Sequence, residues 1–242
     1  MAQPLPDAEV ERALVVTAHP DDVDFGASGT LATWSAQGMA LTLCVITDGD
    51  AGGFDPNVPR TEIPAIRRAE QEAAAAHWGA KEVVFLGYRD GELPVSHELR
   101  RDISRVIRQV RPRRMVVQSP ERNWERIQAS HPDHLASGEA AIQAIYPDAR
   151  NPFAHTSLLG DEGLEAWTVE EVWVMASPHP DHVVDITDTI EAKLAALREH
   201  DSQTSHMDDL DGLIRGWGGM VAERFGLSEG RYAEAFQVVR TA

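Results

Sequence analysis

The sequence predicts an α/β fold, a mostly parallel β-sheet flanked by helices on both faces, and three observations predict it. Short apolar runs alternate with helix-like segments at least four times along the 242 residues, which is the pattern of linked β-α-β units. Each of the first four apolar runs ends in a polar cluster: HPDD, then TDGD, then GYRDGE, then the segment 119–134. Open α/β sheets bind ligands at the carboxyl ends of their strands, so the four clusters are expected on one rim. The length lies within the range of one α/β domain and suffices to bury a sizeable core, so residues 1–242 are read as a single domain.

Each element has its own signal. Residues 13–18 (ALVVTA) read as a buried strand, and residues 26–37 as a helix stopped by Gly38. Residues 41–47 (LTLCVIT) are a second buried strand, and residues 50–59, rich in Gly, Pro, Asp and Asn, a loop. Residues 61–78 read as a helix with an alanine-rich middle ended by Gly79, and residues 82–87 as a third strand. In residues 97–110 the apolar positions Leu99, Ile103, Val106, Ile107 and Val110 keep the helical period. A fourth strand is expected at 114–119. A helix follows at 132–146, with Pro132 in its first turn, where the missing N–H costs nothing. Residues 170–176 read as a fifth strand, 182–187 as a short sixth and 188–200 as a helix. Residues 209–227 read as a helix broken by glycines 216, 218 and 219.

Composition narrows the function. The 43% hydrophobic and 25% charged residues are ordinary for a globular protein. Thirty-nine acidic residues against 22 basic ones give a net charge of −17. Such a surface repels phosphate backbones and anionic lipid heads, and no basic run compensates, so no nucleic-acid partner is expected. The lone Cys44 lies in an apolar run and reads as a small core residue. Residues 1–12 are polar and acidic, unlike a signal peptide. No apolar run reaches the ~18 residues of a membrane span, and a cytoplasmic location is expected.

Two clusters carry chemistry. In His19-Pro20-Asp21-Asp22, imidazole nitrogen and carboxylate oxygen are both donors for Zn²⁺. Their spacing on a turn can aim His19 and Asp22 at one point, with Asp21 beside it in the place of a general base. In His131-Pro132-Asp133-His134 the two histidines are again three apart. One can complete a His-Asp-His ligand set and the other reach a substrate carbonyl. A single His or Asp after a strand is more often a helix cap or a solvated loop residue. Two such clusters on one rim favour a metal. Spacing alone does not choose among zinc, manganese and iron.

The string ALVVTAHPDDVDFGASGTLA resembles the signature of the LmbE-like (PIG-L) zinc-dependent N-deacetylases. That family acts on N-acetylglucosamine-type groups in glycolipids, thiol cofactor precursors, chito-oligosaccharides and some antibiotics. ITDGDAG and FLGYRDGEL are similar to its second and third loops, and Arg67 and Glu70 match its R-x-x-E helix. HPDH at 131–134 matches its late histidine motif, and VVDITDTIEAKLAALREHDSQ its C-terminal segment, so the likeness runs from about residue 13 to about residue 203. The resemblance implies a Rossmann-like α/β fold and hydrolysis of an N-acetyl group from a small amino-sugar substrate. It implies zinc on His19, Asp22 and His134, Asp21 as base and then acid, and protonated His131 stabilising the oxyanion. Arg67 would shape or contact the substrate site, and Asp90 is a candidate for the same pocket. Homo-oligomers are common in the family, so self-association is expected.

Two features depart from that pattern. Asp24 adds a third acid after the HPDD motif and is read as a helix cap. A second HPDH, at 179–182, precedes a strand-like run, which makes His182 a rim residue and a candidate substrate contact. The segment 147–169 is long for a loop in a compact domain, and with 50–59 it is expected to wall the substrate site. Trp124 is a candidate for stacking on a sugar, although a single Trp is more often packing. Ala73 to Ala76 are either a helix-packing face or an oligomer contact. Three rival readings stand: another metal-dependent amidase or esterase, a nucleotide-binding domain, and a non-catalytic metal or ligand binder. The G-x-G-x-x-G spacing is missing around Gly26 and Gly29, and the presence of Asp21 and His131 argues against a pure binder.

Overall fold

The computed structural model of the chain describes residues 3–242. Its seven strands are β1 (Arg12–Thr17), β2 (Ala40–Thr47), β3 (Glu82–Tyr88), β4 (Arg114–Gln118), β5 (Glu171–Met175), β6 (His182–Asp185) and β7 (Ala233–Arg240). They form one sheet in the order β3-β2-β1-β4-β5-β7-β6. Strands β1 to β5 pair in parallel, and β7 lies antiparallel between β5 and β6. Residues 233–240 carry no clear strand signal. Their alternation is blurred by Glu234, a buried carboxylate neutralised by Lys193 at 2.7 Å.

Among the described residues nine α-helices surround the sheet: α1 (Asp22–Gly26), α2 (Ser28–Ala36), α3 (Ile63–His77), α4 (His97–Val110), α5 (Pro132–Gln143), α6 (Thr156–Gly160), α7 (Ile190–Glu199), α8 (Asp201–Thr204) and α9 (Leu210–Arg224). The first expected helix is two helices, because Ala27 leaves helical geometry at φ −148. Ser28 Oγ donates to Asp24 O at 2.8 Å, satisfying a carbonyl at the break. Helix α5 stops at Gln143, short of the expected end, since Pro147 cannot extend it. Helix α9 runs unbroken through its glycines. Asp209 caps it at Gly212 N, and Gly218 provides close approach to Tyr232.

Strand alternation divides the core. Val15, Leu43 and Val45 face Leu31 and Trp34 of α2, Ala74 and Ala75 of α3, and Trp78 just after α3. Leu14, Val16, Cys44 and Ile46 face Leu99, Ile103, Ile107, Ala140 and Ala141 of α4 and α5. Burial raises the Cys44 thiol to about 12, as suits a core residue. Ala74 and Ala75 thus serve helix packing.

The segment 147–169 does not wall the site. It contains α6 and lies along α4, where Arg108 donates to the carbonyls of Asp148, Ala149, Asn151 and Ala154. Trp167 Nε1 donates to Pro112 O, at the amino end of β4 and so at the opposite end of the sheet from His19. Among the described residues no helix is long and apolar enough to cross a membrane.

Candidate active site

Strands β1 and β4 are neighbours from which the sheet is extended in opposite directions, and such a switch point opens a crevice at the carboxyl ends. His19 follows β1, and the segment leading to α5 follows β4. There His19 Nδ1 lies 3.2 Å from His134 Nε2 and 3.3 Å from Asp22 Oδ2, and His134 Nε2 is 2.9 Å from Asp22 Oδ1. Ligands on a tetrahedral ion with bonds of ~2.0–2.1 Å stand roughly 3.3 Å apart, close to these separations. Each ring is turned by its other nitrogen. His19 Nε2 meets Asp90 Oδ1 at 3.0 Å and Asp133 Oδ2 at 3.2 Å, and His134 Nδ1 faces Ala129 O at 3.4 Å. Outer partners of this kind orient metal-binding imidazoles.

The charges are tightly balanced. Burial opposes a proton on His19, but the charge of Asp22, with hydrogen bonds donated by the ring to Asp133, Asp22 and Asp90, pushes its pKa up to about 12. Burial is likewise outweighed at Asp22, which the two histidines hold well below the usual carboxylate range.

Asp21 caps α1 in the left-handed region, at φ 84, a conformation that costs a non-glycine residue energy. Two contacts hold it: its N–H donates to Gln71 Oε1 at 2.8 Å, and Arg67 Nη2 donates to its Oδ2 at 3.0 Å. Burial pushes the Asp21 carboxyl up to about 6 despite the Arg67 charge, and Asp22 adds to the rise. Arg67 also donates to Pro20 O at 2.6 Å and Gly49 O at 3.2 Å, so it is a buried brace joining the loops after β1 and β2. Asp24 is not a helix cap. It is fully buried, accepting from Gln71 Nε2 and Trp78 Nε1 at 2.8 Å each and facing His200 Nε2 at 2.9 Å.

His131 joins the cluster, its ring centroid 4.9 Å from His19 and 5.3 Å from His134. Its Nδ1 accepts from Asp133 N at 3.2 Å, which leaves Nε2 to carry the proton of the neutral ring. Burial, then the charges of His19 and His134, lower its pKa. Asp90 sits behind His19 and faces that ring. His182 stands apart on β6, edge-on to Trp173 with centroids 4.7 Å apart and outside the cavity wall, so the expected substrate contact is not what its position offers. Two sets of potential metal-ligand atoms gather here, His19 with His131 and His134, and His19 with Asp90 and Asp133.

Beside the cluster opens a cavity of about 490 Å³. Asp22 and His134 form part of its wall, and Phe25, Trp217 and Phe225 give it an aromatic side. Trp124 is 81% exposed and lies outside that wall.

Residues 14–145 match the family model for PIG-L, GlcNAc-PI de-N-acetylase. The chain belongs to the PIG-L family. Among PIG-L relatives, the diacetylchitobiose deacetylase of Thermococcus kodakarensis is 32% identical, with 97% of this chain and 85% of that protein covered. The probable N-acetyl-alpha-D-glucosaminyl L-malate deacetylase 2 of Bacillus cereus is also 32% identical, over 80% of this chain and 84% of its own length. The solved N,N'-diacetylchitobiose deacetylase from Pyrococcus horikoshii superposes with a TM-score of 0.87 at 32% identity, covering 97% of this chain and 85% of that one. The Rossmann-like architecture expected of a PIG-L protein is present.

The residues around the motifs carry weaker signals than the motifs themselves. Asp133 lies inside HPDH, but the spacing singles out only the two histidines; its Oδ2 accepts from Gly91 N at 2.7 Å and so ties the third loop to His19. Gln71, Asp24 and His200 meet only through the fold.

Proposed function

We propose that the chain is a metal-dependent N-deacetylase that hydrolyses the acetamide of an N-acetylglucosamine-type substrate to acetate and a free amine. The observation that carries this reading is the placement of Asp21, a braced carboxylate, next to a His19-Asp22-His134 donor set of which Asp22 and His134 line a sugar-sized cavity. Two imidazole nitrogens and a carboxylate oxygen, each oriented from behind, fit zinc, and mixed nitrogen and oxygen donors also accept manganese or iron. When bound, such a metal supplies Lewis acidity, making an amide carbonyl more electrophilic and water more acidic.

The chain's own groups do the rest. Arg67 occupies Asp21 Oδ2, so Oδ1 is the atom that takes the proton from attacking water. The raised pKa suits Asp21 to hold that proton and then deliver it to the leaving nitrogen. His131 donates from Nε2 to the amide oxygen as negative charge develops there. It does so as a neutral imidazole, in place of the expected imidazolium, because its surroundings disfavour a second charge. Asp90 and Asp133 keep His19 turned toward Asp22.

The test pairs metal content with acetate release from N-acetylated amino sugars. Wild type is expected to hold about one metal ion per chain and release acetate. Asp21→Ala should keep the metal and lose activity by ~10²–10⁴-fold, and His134→Ala should lose the metal. Near-normal turnover in Asp21→Ala would remove Asp21 from its role. Wild-type protein that binds no added zinc would overturn the hydrolase reading.

A further inference from the structure

Where β1 and β4 part, a side chain takes over from the backbone ladder. Their paired register ends at Val16 and Val117, and beyond it the Ala18 N–H donates to Gln118 Oε1 at 2.8 Å. That bond fixes which end of the amide is which, because a backbone N–H must meet the carbonyl oxygen of the side chain and not its NH₂. Strand alternation sends Gln118 to the face of Val116 and Met175, away from that of Val117 and α5. There it lines the cavity together with Asp22 and His134.

The other end of the amide is uncommitted. Among the described residues no acceptor takes the Nε2 hydrogens. Nor is Nε2 sealed away from solvent without a partner, as Trp34 Nε1 and Ser137 Oγ are. Gln118 is only 4% exposed, and the open space it meets is the cavity. A donor held in so sheltered a place costs free energy unless something pairs it. The polar groups around it are engaged with one another. Lys193 Nζ gives to Asp24 O, Phe25 O and Glu234 Oε1, Ser177 Oγ lies 2.7 Å from Gln237 Oε1, and Asp22 faces His19 and His134. Much of the remaining wall, with Phe25, Met175, Ile214 and Trp217, is apolar.

We propose that Gln118 is a substrate-recognition residue whose Nε2 donates to an oxygen flanking the acetamide on the sugar ring, the 3-hydroxyl or the anomeric oxygen. Its anchor decides the place. The side chain hangs from the residue before His19, so its free hydrogens stand beside the donor set that the acetamide must reach. The proposal rests on the deacetylase reading and deepens it, since a fixed donor on an otherwise apolar wall selects for a correctly placed oxygen.

The experiment compares kcat/KM of the metal-loaded protein on N-acetylglucosamine and on its 3-deoxy and 1-deoxy analogues. Wild type is expected to lose ~10-fold on one analogue, the worth of a hydrogen bond whose sheltered donor is left unpaired. Which analogue suffers identifies the oxygen. Gln118→Glu keeps an oxygen for the Ala18 N–H and removes the donor, so it should treat that analogue and the parent sugar alike. Gln118→Leu removes both bonds and should lose the same discrimination. Each ratio is taken within one variant, so damage to the fold or to metal binding cancels, and a merely structural Gln118 would leave the ratio unmoved. Equal wild-type turnover of all three compounds, or a discrimination that survives in both variants, would overturn the contact while leaving the deacetylase intact. If wild type turns over none of them, the deacetylase reading fails on these sugars and calorimetric binding decides the contact. It stands if wild type binds the parent sugar more tightly than one analogue and Gln118→Glu does not, and it falls otherwise.

Discussion

Asp21 is held in an unfavourable backbone conformation by a side chain 50 residues away, Gln71, whose oxygen accepts from the Asp21 N–H. Because the Gln71 amide is itself anchored on Asp24, Asp21 is located by a buried relay and not by its own turn. Gln71→Leu keeps the volume and removes both hydrogen bonds. It is expected to lower kcat ~10–100-fold, as small misplacements of reacting groups do, with KM and metal content little changed. A purely structural Gln71 would instead lower the melting temperature and leave kcat alone, so parallel kinetics and thermal melts decide. This scale also marks the limit of the sequence. His19, Asp22 and His134 are legible because three-residue spacing on a turn is a local property. Gln71 and His200 are not, because their partners lie 47 to 176 residues away and nothing local distinguishes a glutamine bound to Asp24 from a solvated one.

Elements position what residues execute, and α5 shows how little slack they have. Gly138 lies against the end of β4: a Cβ there would stand 2.3 Å from Gln118 O and 2.9 Å from both Pro120 N and Ser119 C. These are backbone atoms that cannot swing aside, so Gly138→Ala must push α5 outward and carry His134 away from His19. A loss of ~1–3 kcal/mol is expected from such overpacking, together with weaker metal retention, measured by denaturant melts and metal titration. Unchanged metal affinity would mean that the His134 turn moves independently of α5. At the end of α7, His200 makes a second such join, to Asp24 under α1. Burial works against its charge, but Asp24 outweighs that and its pKa is raised. A histidine with a folded-state pKa above the unfolded ~6.5 stabilises fully below that pH and loses the contribution as pH rises through the folded-state value. The stability gap between wild type and His200→Gln should therefore narrow between pH 6 and pH 9 in urea melts. A constant gap would show that His200 is neutral throughout. Element boundaries follow the same logic as the site. Helix α4 is legible to the residue, since its apolar period and the Ser96 cap on Leu99 N are local. The continuity of α9 and the existence of β7 depend on Tyr232 and on Lys193 with Glu234, contacts that only the fold creates.

For the whole molecule, the parallel order around β1 and β4 is readable because alternating strands and helices admit few topologies. The antiparallel β7-β6 edge is not, and it matters because this edge and α9 supply much of the cavity wall beside His134. The same topology makes the donor set a clasp: His19 and Asp22 flank the turn after β1, while His134 comes from α5, 115 residues on from His19. Removing the metal should be felt by the entire fold, because an ion bound only by the native arrangement stabilises it by mass action, about 2.7 kcal/mol at a hundredfold excess over Kd. For a chain of this length each kcal/mol moves the melting temperature by about 2–4 °C. Chelation is therefore expected to lower it by ~5–10 °C, and zinc added back should restore it. His134→Ala cuts the clasp on one side, so its melting temperature should respond to neither treatment. An equal response in wild type and His134→Ala would place the bound metal elsewhere. No response in either would mean that the three donors are held together by hydrogen bonds and charge alone, and His19, Asp22 and His134 would lose their role as metal ligands.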